Sequence, residues 1–278
     1  MVELSTGLSA AALDAIADLE RRVVAADGGR LKLEWNALRH RSGPEVDDVL
    51  WWDGERLLGF LGIYSHGAPT LELAGMVDPT ARRRGIGAAL LDVGLRLCRD
   101  REHDSVLLVV PRHSVSGRSL ALRRSGRLEH SEHALELLGE PVEVPADPGI
   151  AVRAASPADQ PALREILRLA FGWEPPEAAG SDPNTLVVER DGRPIGTARL
   201  YSEGDRAGIY GFAIHPGHQG RGIGRDVLHR LCRTARAGGA GTVHLEVATD
   251  NDRALRLYTS LGFRPVITED YYALPSSR

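Results

Sequence analysis

Apolar and polar positions along this chain switch between a helical and a strand period, and they do so twice in the same order. Residues 2–4 read as a short strand. Beyond Ser9, Ala and Leu alternate with Asp14, Asp18 and Glu20, which predicts an amphipathic helix capped by that serine. A second helical stretch covers 31–39. The apolar runs 47–52 and 55–64 flank Asp53-Gly54, a two-residue hairpin signal. A strand at 70–77, a helix at 84–99 and a Val/Leu-rich buried strand at 105–110 follow. Segment 140–149 carries Pro141, Pro145 and Pro148 without periodicity, which places a linker between domains at 1–139 and 150–278.

The second half repeats the programme. A strand starts at 151–153, and Ser156-Pro157-Ala158-Asp159 supplies an N-cap, a first-turn proline and an acidic third position for a helix to Ala170. Strands at 185–190 and 193–201 flank Asp191-Gly192. A strand at 207–214, a helix at 225–235 and a strand at 242–248 complete the order. The spacing between copies is 138 positions at the Asp-Gly pairs, 137 at Tyr64-Ser65 and Tyr201-Ser202, 137 at Gly85 and Gly222, and 136 at Gly126 and Gly262. A repeat of that length means two copies of one domain.

The glycines of the two copies stand where a strand passes into a helix. Gln219, Gly220, Arg221, Gly222, Ile223 and Gly224 follow His215-Pro216; Arg82, Arg83, Arg84, Gly85, Ile86 and Gly87 follow Asp78-Pro79. Both spell [QR]-x-x-G-x-G. Amides at a helix N-terminus are unpaired and carry the positive end of the helix dipole, and residues without Cβ let an anion approach them, so each turn is a candidate phosphate cradle. Taken alone, Gly222-Ile223-Gly224 also fits an ordinary helix-capping loop.

Composition narrows the field. The 278 residues carry a formal charge of -4 with a pI near 6.2, which argues against a nucleic-acid partner. Lys32 is the sole lysine, so a Walker-type nucleotide site is excluded and a Schiff-base lysine lacks any supporting motif. Cys98 and Cys232 fall in apolar helix patterns and read as reduced core thiols. No apolar run approaches the roughly 20 residues of a membrane span, and no signal peptide pattern opens the chain, so a cytoplasmic protein is expected. His130 and His133 point to opposite faces of a strand, which argues against a metal site. A dinucleotide-binding oxidoreductase is excluded because Leu90 and Val227 stand where its third glycine belongs.

The hairpin, the x-Pro strand end, the glycine turn, and the later Leu245-Glu246-Val247, Asn251, Ala254, Leu257-Tyr258 and Leu261-Gly262-Phe263 resemble the GNAT superfamily of N-acetyltransferases. The match covers nearly all of 150–278; in the first half only the earlier motif is good. The resemblance implies an α/β fold of two tandem domains, each a mostly antiparallel mixed sheet with a splayed central strand pair flanked by helices. It implies acetyl-CoA as cosubstrate, no metal, and a primary amine of a small molecule or peptide as acceptor. Its pyrophosphate would lie on amides of Arg221 to Gly224 with Gln219 shaping the loop, Asn251 would bond the pantetheine, and amides near Phe212, Ala213 and Ile214 would hold the thioester and polarise its carbonyl. Tyr258 would be the acid for the leaving thiolate. Glu246 would take the amine's proton, directly or through water.

The first half departs from this pattern. Aligning Gly126 with Gly262 sets Leu122 where Tyr258 stands, Val115 opposite Asn251 and Arg127 opposite Phe263, so the acid is missing. Glu72 is the acidic candidate near that turn and is read as a surface or residual group. With Arg82, Arg83, Arg84, Gly85, Ile86 and Gly87 intact, this half is expected to hold coenzyme A or shape a cleft, and to be catalytically silent. Tandem bacterial members are expected to carry an acidic residue on the strand before the active glycine turn; here that strand reads Ala207, Gly208, Ile209, Tyr210, Gly211. An acyl-CoA-binding sensor or scaffold without turnover is the alternative.

Overall fold

Ser9 starts the first long helix as its sequence predicts. Its Oγ accepts a hydrogen bond from Ala12 N–H at 3.2 Å, and this chain, a computed structural model, is described at residues 1–65, 70–101, 103–172, 175 and 182–275. After β1 (Val2–Ser5), α1 (Ala10–Asp27) buries Ala12, Ile16, Leu19 and Val23, an i, i+4, i+7 stripe. Burying each of the larger side chains contributes about 1.5–3 kcal/mol. α2 (Trp35–His40) is shorter than the expected 31–39 because Leu38 alone on it is buried, which leaves little apolar surface to extend the helix. In the hairpin of β2 (Asp48–Asp53) and β3 (Arg56–Ser65), Asp53 pairs with Arg56, so the loop is Gly54-Glu55, one residue later than the Asp-Gly signal. Gly54 takes a φ of +58° there. β4 (Thr70–Val77), α3 (Ile86–Arg99), β5 (Ser105–Pro111) and α4 (Val115–Arg123) follow. Next come β6 (Arg127–Leu137) and β7 (Ile150–Ala154).

In the second copy, Ser156 N–H and Oγ–H both donate to the Asp159 carboxylate, 2.8 and 2.7 Å, ahead of α5 (Gln160–Phe171). β8 (Thr185–Arg190) and β9 (Arg193–Glu203) turn through Asp191-Gly192, with φ of +52° and +71°. β10 (Arg206–Ile214), α6 (Ile223–Ala237), β11 (Thr242–Ala248), α7 (Asp252–Ser260) and β12 (Arg264–Leu274) finish the chain.

The compact units are not the two sequence halves. One unit is Met1–Ser131 with the segment from Ile267; the other is Glu132–Val266. Within the first, strands run in the order β1-β2-β3-β4-β5-β12; within the second, β6-β11-β10-β9-β8-β7. Only β4–β5 and β10–β11 are parallel among the described pairs. The divide therefore cuts β6 and β12 instead of falling in 140–149. Apolar residues explain the exchange. Leu135 and Leu137 of β6 are buried in the second unit's core with α6 residues such as Val227 and Leu231. Tyr272 and Leu274 of β12 are buried in the first unit's core with Leu91 of α3 and Ala121 of α4.

Each sheet is covered on both faces. Tyr271 and Leu107 pack toward α1, while in the second unit Leu163 and Ile166 of α5 cover Val187 and Ala213 on the face opposite α6. Cys98 and Cys232 are free and buried, and burial pushes their thiols up to about 11 and about 12. No helix among the described residues is long and apolar enough to cross a membrane.

Candidate active site

The second unit's two central strands part company. β10 and β11 pair as Arg206–Thr242, Ala207–Val243 and Gly208–His244, and the described pairing stops there. On its other edge β10 pairs with β9 through Tyr210–Arg199 and resumes at Ala213–Thr197. Gly211 and Phe212 thus oppose Ala198 alone, and Gly211 takes a φ of +56°. Such a bulge bends the strand that carries it. The result is a wedge between parallel strands, closed at Gly208 and His244 and open toward the glycine turn.

At the open end, Gly220 and Gly222 adopt φ of +78° and +81°, and Gly222 is the left-handed N-cap of α6. An added Cβ would meet nothing within 4 Å at either position, so the backbone conformation is what demands glycine there. Gly224 has no such conformation, and a Cβ there would make ordinary contacts, 3.5 Å from Leu257 Cδ2 of α7 and 3.8 Å from Phe212. Arg225 and Asp226 N–H bond to Gly222 C=O, so the amides of Arg221 to Gly224 precede the helix's own ladder. Ile223 is buried beneath them. Gln219 braces the loop, its Nε2 donating to Ile214 C=O at 2.7 Å while its Oε1 accepts from Arg253 Nη1 at 2.7 Å.

Tyr258 is buried on α7 in an apolar cluster, its ring centroid 6.2 Å from that of Phe263. Burial pushes its phenol up to about 12, so it stays a donor at working pH. Asn251 is the N-cap of α7, its Oδ1 accepting from Ala254 N–H at 3.0 Å, which commits that oxygen to the helix and assigns any ligand contact to the amide NH₂. Glu246 is half-buried on β11 opposite Ala134 of β6.

Sequence reasoning missed a row of polar groups at the closed end. Tyr201, Gly208, His244 and Glu136 are register partners across β9, β10, β11 and β6. Tyr210, two residues after Gly208, places its hydroxyl 3.2 Å from His244 Nε2. The Tyr201 hydroxyl donates to Asp182, and burial and that carboxylate push its phenol up to about 12. The alternation of β11 set His244 on the face of Glu246, and that was the available signal.

The first unit repeats the cradle without the phenol. β4 and β5 pair from Thr70–Ser105 to Leu73–Leu108 and no further. Gly85 is the left-handed N-cap of α3, with buried Ile86 and then Gly87 behind it. Arg83 holds a φ of +64° where the other copy has Gly220. Arg82 is spent on structure: Nε donates to Val77 C=O at 3.2 Å, and Nη1 and Nη2 to the Asp27 carboxylate at 2.8 and 2.6 Å. Those bonds lower the Asp27 pKa. Arg83 and Arg84 are exposed. A cavity of about 360 Å³ opens here, lined by Asp27, Arg30, Arg83, Gly85 and His113 among others. That volume suits a ligand, but it lies in the unit without a counterpart of Tyr258, so cavity size does not mark the chemistry.

Three expectations for this unit are corrected. Ala121, not Leu122, takes Tyr258's place: it is the buried residue of α4, whereas Leu122 is 53% exposed. Ser114, not Val115, is the N-cap that corresponds to Asn251. Glu72 is no surface group, since its side chain is 17% exposed and lies 3.6 Å from Lys32 Nζ. Lys32 also donates to the Tyr271 hydroxyl, and Arg30 reaches fully buried Glu269 at 3.5 Å. Tyr271 and Glu269 arrive on β12, from the far end of the chain. Among the described residues no group of His, Cys, Asp and Glu is arranged to hold a metal ion.

The acetyltransferase (GNAT) family model matches residues 12–121 and 153–263, one match per sequence half. A mycothiol acetyltransferase of Kytococcus sedentarius is 32% identical over 94% of this chain and 93% of its own length. Among solved structures, a GCN5-related N-acetyltransferase of Sphaerobacter thermophilus aligns with a TM-score of 0.80 at 20% identity, covering 99% of this chain and 96% of that one. A tandem GNAT protein from the clavulanic acid biosynthesis pathway aligns with a TM-score of 0.72 at 19% identity, covering 100% and 99%. These structures share the fold.

Proposed function

This chain belongs to the GNAT acetyltransferase family, and from that premise we propose that its second unit moves an acetyl group from acetyl-CoA to a primary amine of a small molecule or peptide, in a ternary complex. The observation that carries the reading is the wedge between β10 and β11, which has an anion cradle at its open end and a buried phenol on α7.

The residues present fit coenzyme A. Amides of Arg221 to Gly224 take the pyrophosphate, and the Gly220 and Gly222 conformations leave their approach clear of side chains. Asn251 NH₂ bonds the pantetheine, and the bulged backbone at Phe212, Ala213 and Ile214 lines the wedge and faces the thioester. The cosubstrate supplies an activated acyl carbonyl. Tyr258, held protonated, donates to the departing sulfur. Because a phenol near 12 is a weaker acid than a thiol near 8.5, its contribution is a hydrogen bond to the developing thiolate more than complete transfer. Glu246 draws a cationic amine to the opposite face and leads its proton away, directly or through intervening groups.

The first unit keeps a cradle at Arg83 to Gly87 and lacks the phenol, so it holds coenzyme A without turnover. The relative's name points to the mycothiol precursor as one acceptor to test. The strand before the active glycine turn reads Ala207, Gly208, Ile209, Tyr210, Gly211, without the acidic residue expected there in mycothiol synthase, which argues that this chain handles its amine differently. A panel of amines, that precursor included, assayed for CoA release with wild type and Tyr258→Phe tests the reading. Tight CoA binding with no amine turned over would favour an acyl-CoA sensor; a Phe variant as fast as wild type would remove Tyr258 from its role.

A further inference from the structure

At the closed end of the wedge, the parallel strand pair of each unit places one titratable side chain in the closing row, carried by opposite strands. In the first unit the cross-strand row is Tyr64–Glu72–Leu107; in the second it is Tyr201–Gly208–His244. The carboxylate of β4 is replaced by glycine on β10, and the leucine of β5 by histidine on β11. Gly208 makes room for the change: a Cβ there would lie 2.8 Å from His244 Nε2 and 2.4 Å from the Tyr210 ring. In the first unit Glu72 is paired with Lys32, as befits a silent site.

We infer that Tyr210 and His244 together take the proton from the attacking amine in the second unit. The inference rests on the function proposed above. A donor whose pyrophosphate sits at 221–224 runs back along β10 from Ile214, which sets its thioester against the bulge at Phe212 and turns its acetyl group toward the closed end, where the amine enters. There the amine nitrogen forms its bond to the acetyl carbon, the carbon–sulfur bond breaks, and sulfur leaves with the bonding pair. The nitrogen's surplus proton passes to the Tyr210 oxygen as the Tyr210 proton passes to His244 Nε2, across the 3.2 Å contact already present. The imidazolium faces Tyr201 of β9, Tyr210 of β10, Glu136 of β6 and, two residues along its own strand, Glu246; Arg199 of β9, the register partner of Tyr210, is a cation on that face, and Arg206 is held by Glu136 at 2.6 Å. α5, on the same face, contributes apolar Leu163 and Ile166. Glu246 thus draws the amine by its charge and stabilises the imidazolium, and the amine's proton leaves through Tyr210 and His244 instead of passing to that carboxylate directly.

Wild type, His244→Gln, His244→Ala, Tyr210→Phe and Glu246→Gln are assayed with acetyl-CoA and the best amine of the panel from about pH 4 to 9, where carboxylates and imidazole titrate. CoA titrations on each variant show that the donor site is intact. The expected result is an acidic limb in wild-type kcat/KM that disappears in His244→Gln, with a loss of about 100-fold or more. Tyr210→Phe shows a comparable loss, added imidazole restores part of the His244→Ala rate, and Glu246→Gln keeps the limb. A His244→Gln enzyme within a few-fold of wild type with its limb intact overturns the inference while leaving the acetyltransferase reading standing, as does loss of the limb in Glu246→Gln. A wild type that binds CoA and acetylates no amine overturns both.

Discussion

Tyr258 and Ala121 hold the same place in the two units. Each is the buried residue of its helix, and each offers its carbonyl to an amide five residues on, Phe263 N–H at 3.2 Å and Gly126 N–H at 2.9 Å. In the first unit a methyl group, which donates no proton, therefore stands where the second has its phenol. Tyr258→Phe is expected to lower kcat by about 10- to 100-fold, the scale of one lost donor to developing charge. Since burial keeps the phenol protonated up to about 12, the ratio of wild-type to variant kcat should stay flat between neutral and mildly alkaline pH. A kcat profile of both enzymes checks this.

The glycine turns separate conformation from contact. Gly222→Ala places a Cβ in open space but at a φ of +81°, so its cost is backbone strain of about 1–2 kcal/mol with no clash. Strain in the anion cradle should raise KM for the acyl donor and leave kcat within a few-fold. Arg83 bears the equivalent strain already, at +64°. Arg83→Gly removes it against the added freedom of a glycine in the unfolded chain, so the melting temperature should stay close to wild type or rise slightly, where most loop glycines would lower it.

Much of this was legible beforehand. The strand and helix periods, the cap at Ser9, the capping box at Ser156 and both anion turns follow from local chemistry, and locally determined features survive folding. What escaped was long-range. β6 and β12 alternate like any strand, and alternation names a face but not the sheet that receives it, so the exchange of strands was invisible. The closed-end row was hidden by a single residue. A uniform offset of 137 sets Leu71 against Gly208, whereas register sets Glu72 there, because the bulge at Gly211 and Phe212 adds one residue to β10. The variable spacings at the hairpin and at the later glycines have the opposite cause. There the true partners, Gly54 with Asp191 and Gly126 with Phe263, restore 137.

Asp48 sets a pH dependence of stability in the first unit. It is fully buried with Arg41 Nη1 3.1 Å away. Burial raises its pKa to about 7, against the opposing pull of Arg41. The folded state thus holds a proton that the unfolded chain has released above its own value near 3.8. Stability should fall as pH rises from about 4 to about 7, by at most about 1.4 kcal/mol per unit, and level off above. Thermal melts across that range check it, and Asp48→Asn should flatten the slope.

Occupancy of the first unit gives the last prediction. Its cradle retains Gly85 in the left-handed N-cap and an open cavity beside it, while its wedge end carries Glu72 tied to Lys32 and Ala121 in place of a phenol. Binding and turnover rest on different residues, so the first can persist without the second. Calorimetric titration of coenzyme A should find two sites per chain. Gly85→Asp sets a carboxylate at the helix N-terminus where pyrophosphate would lie, and like charges repel there. That variant should lose one site and keep wild-type kcat, whereas Gly222→Asp should lose the other site and the activity with it. One site in wild type, or loss of activity in Gly85→Asp with CoA still bound at the second unit, would show that the first unit does something other than hold the nucleotide.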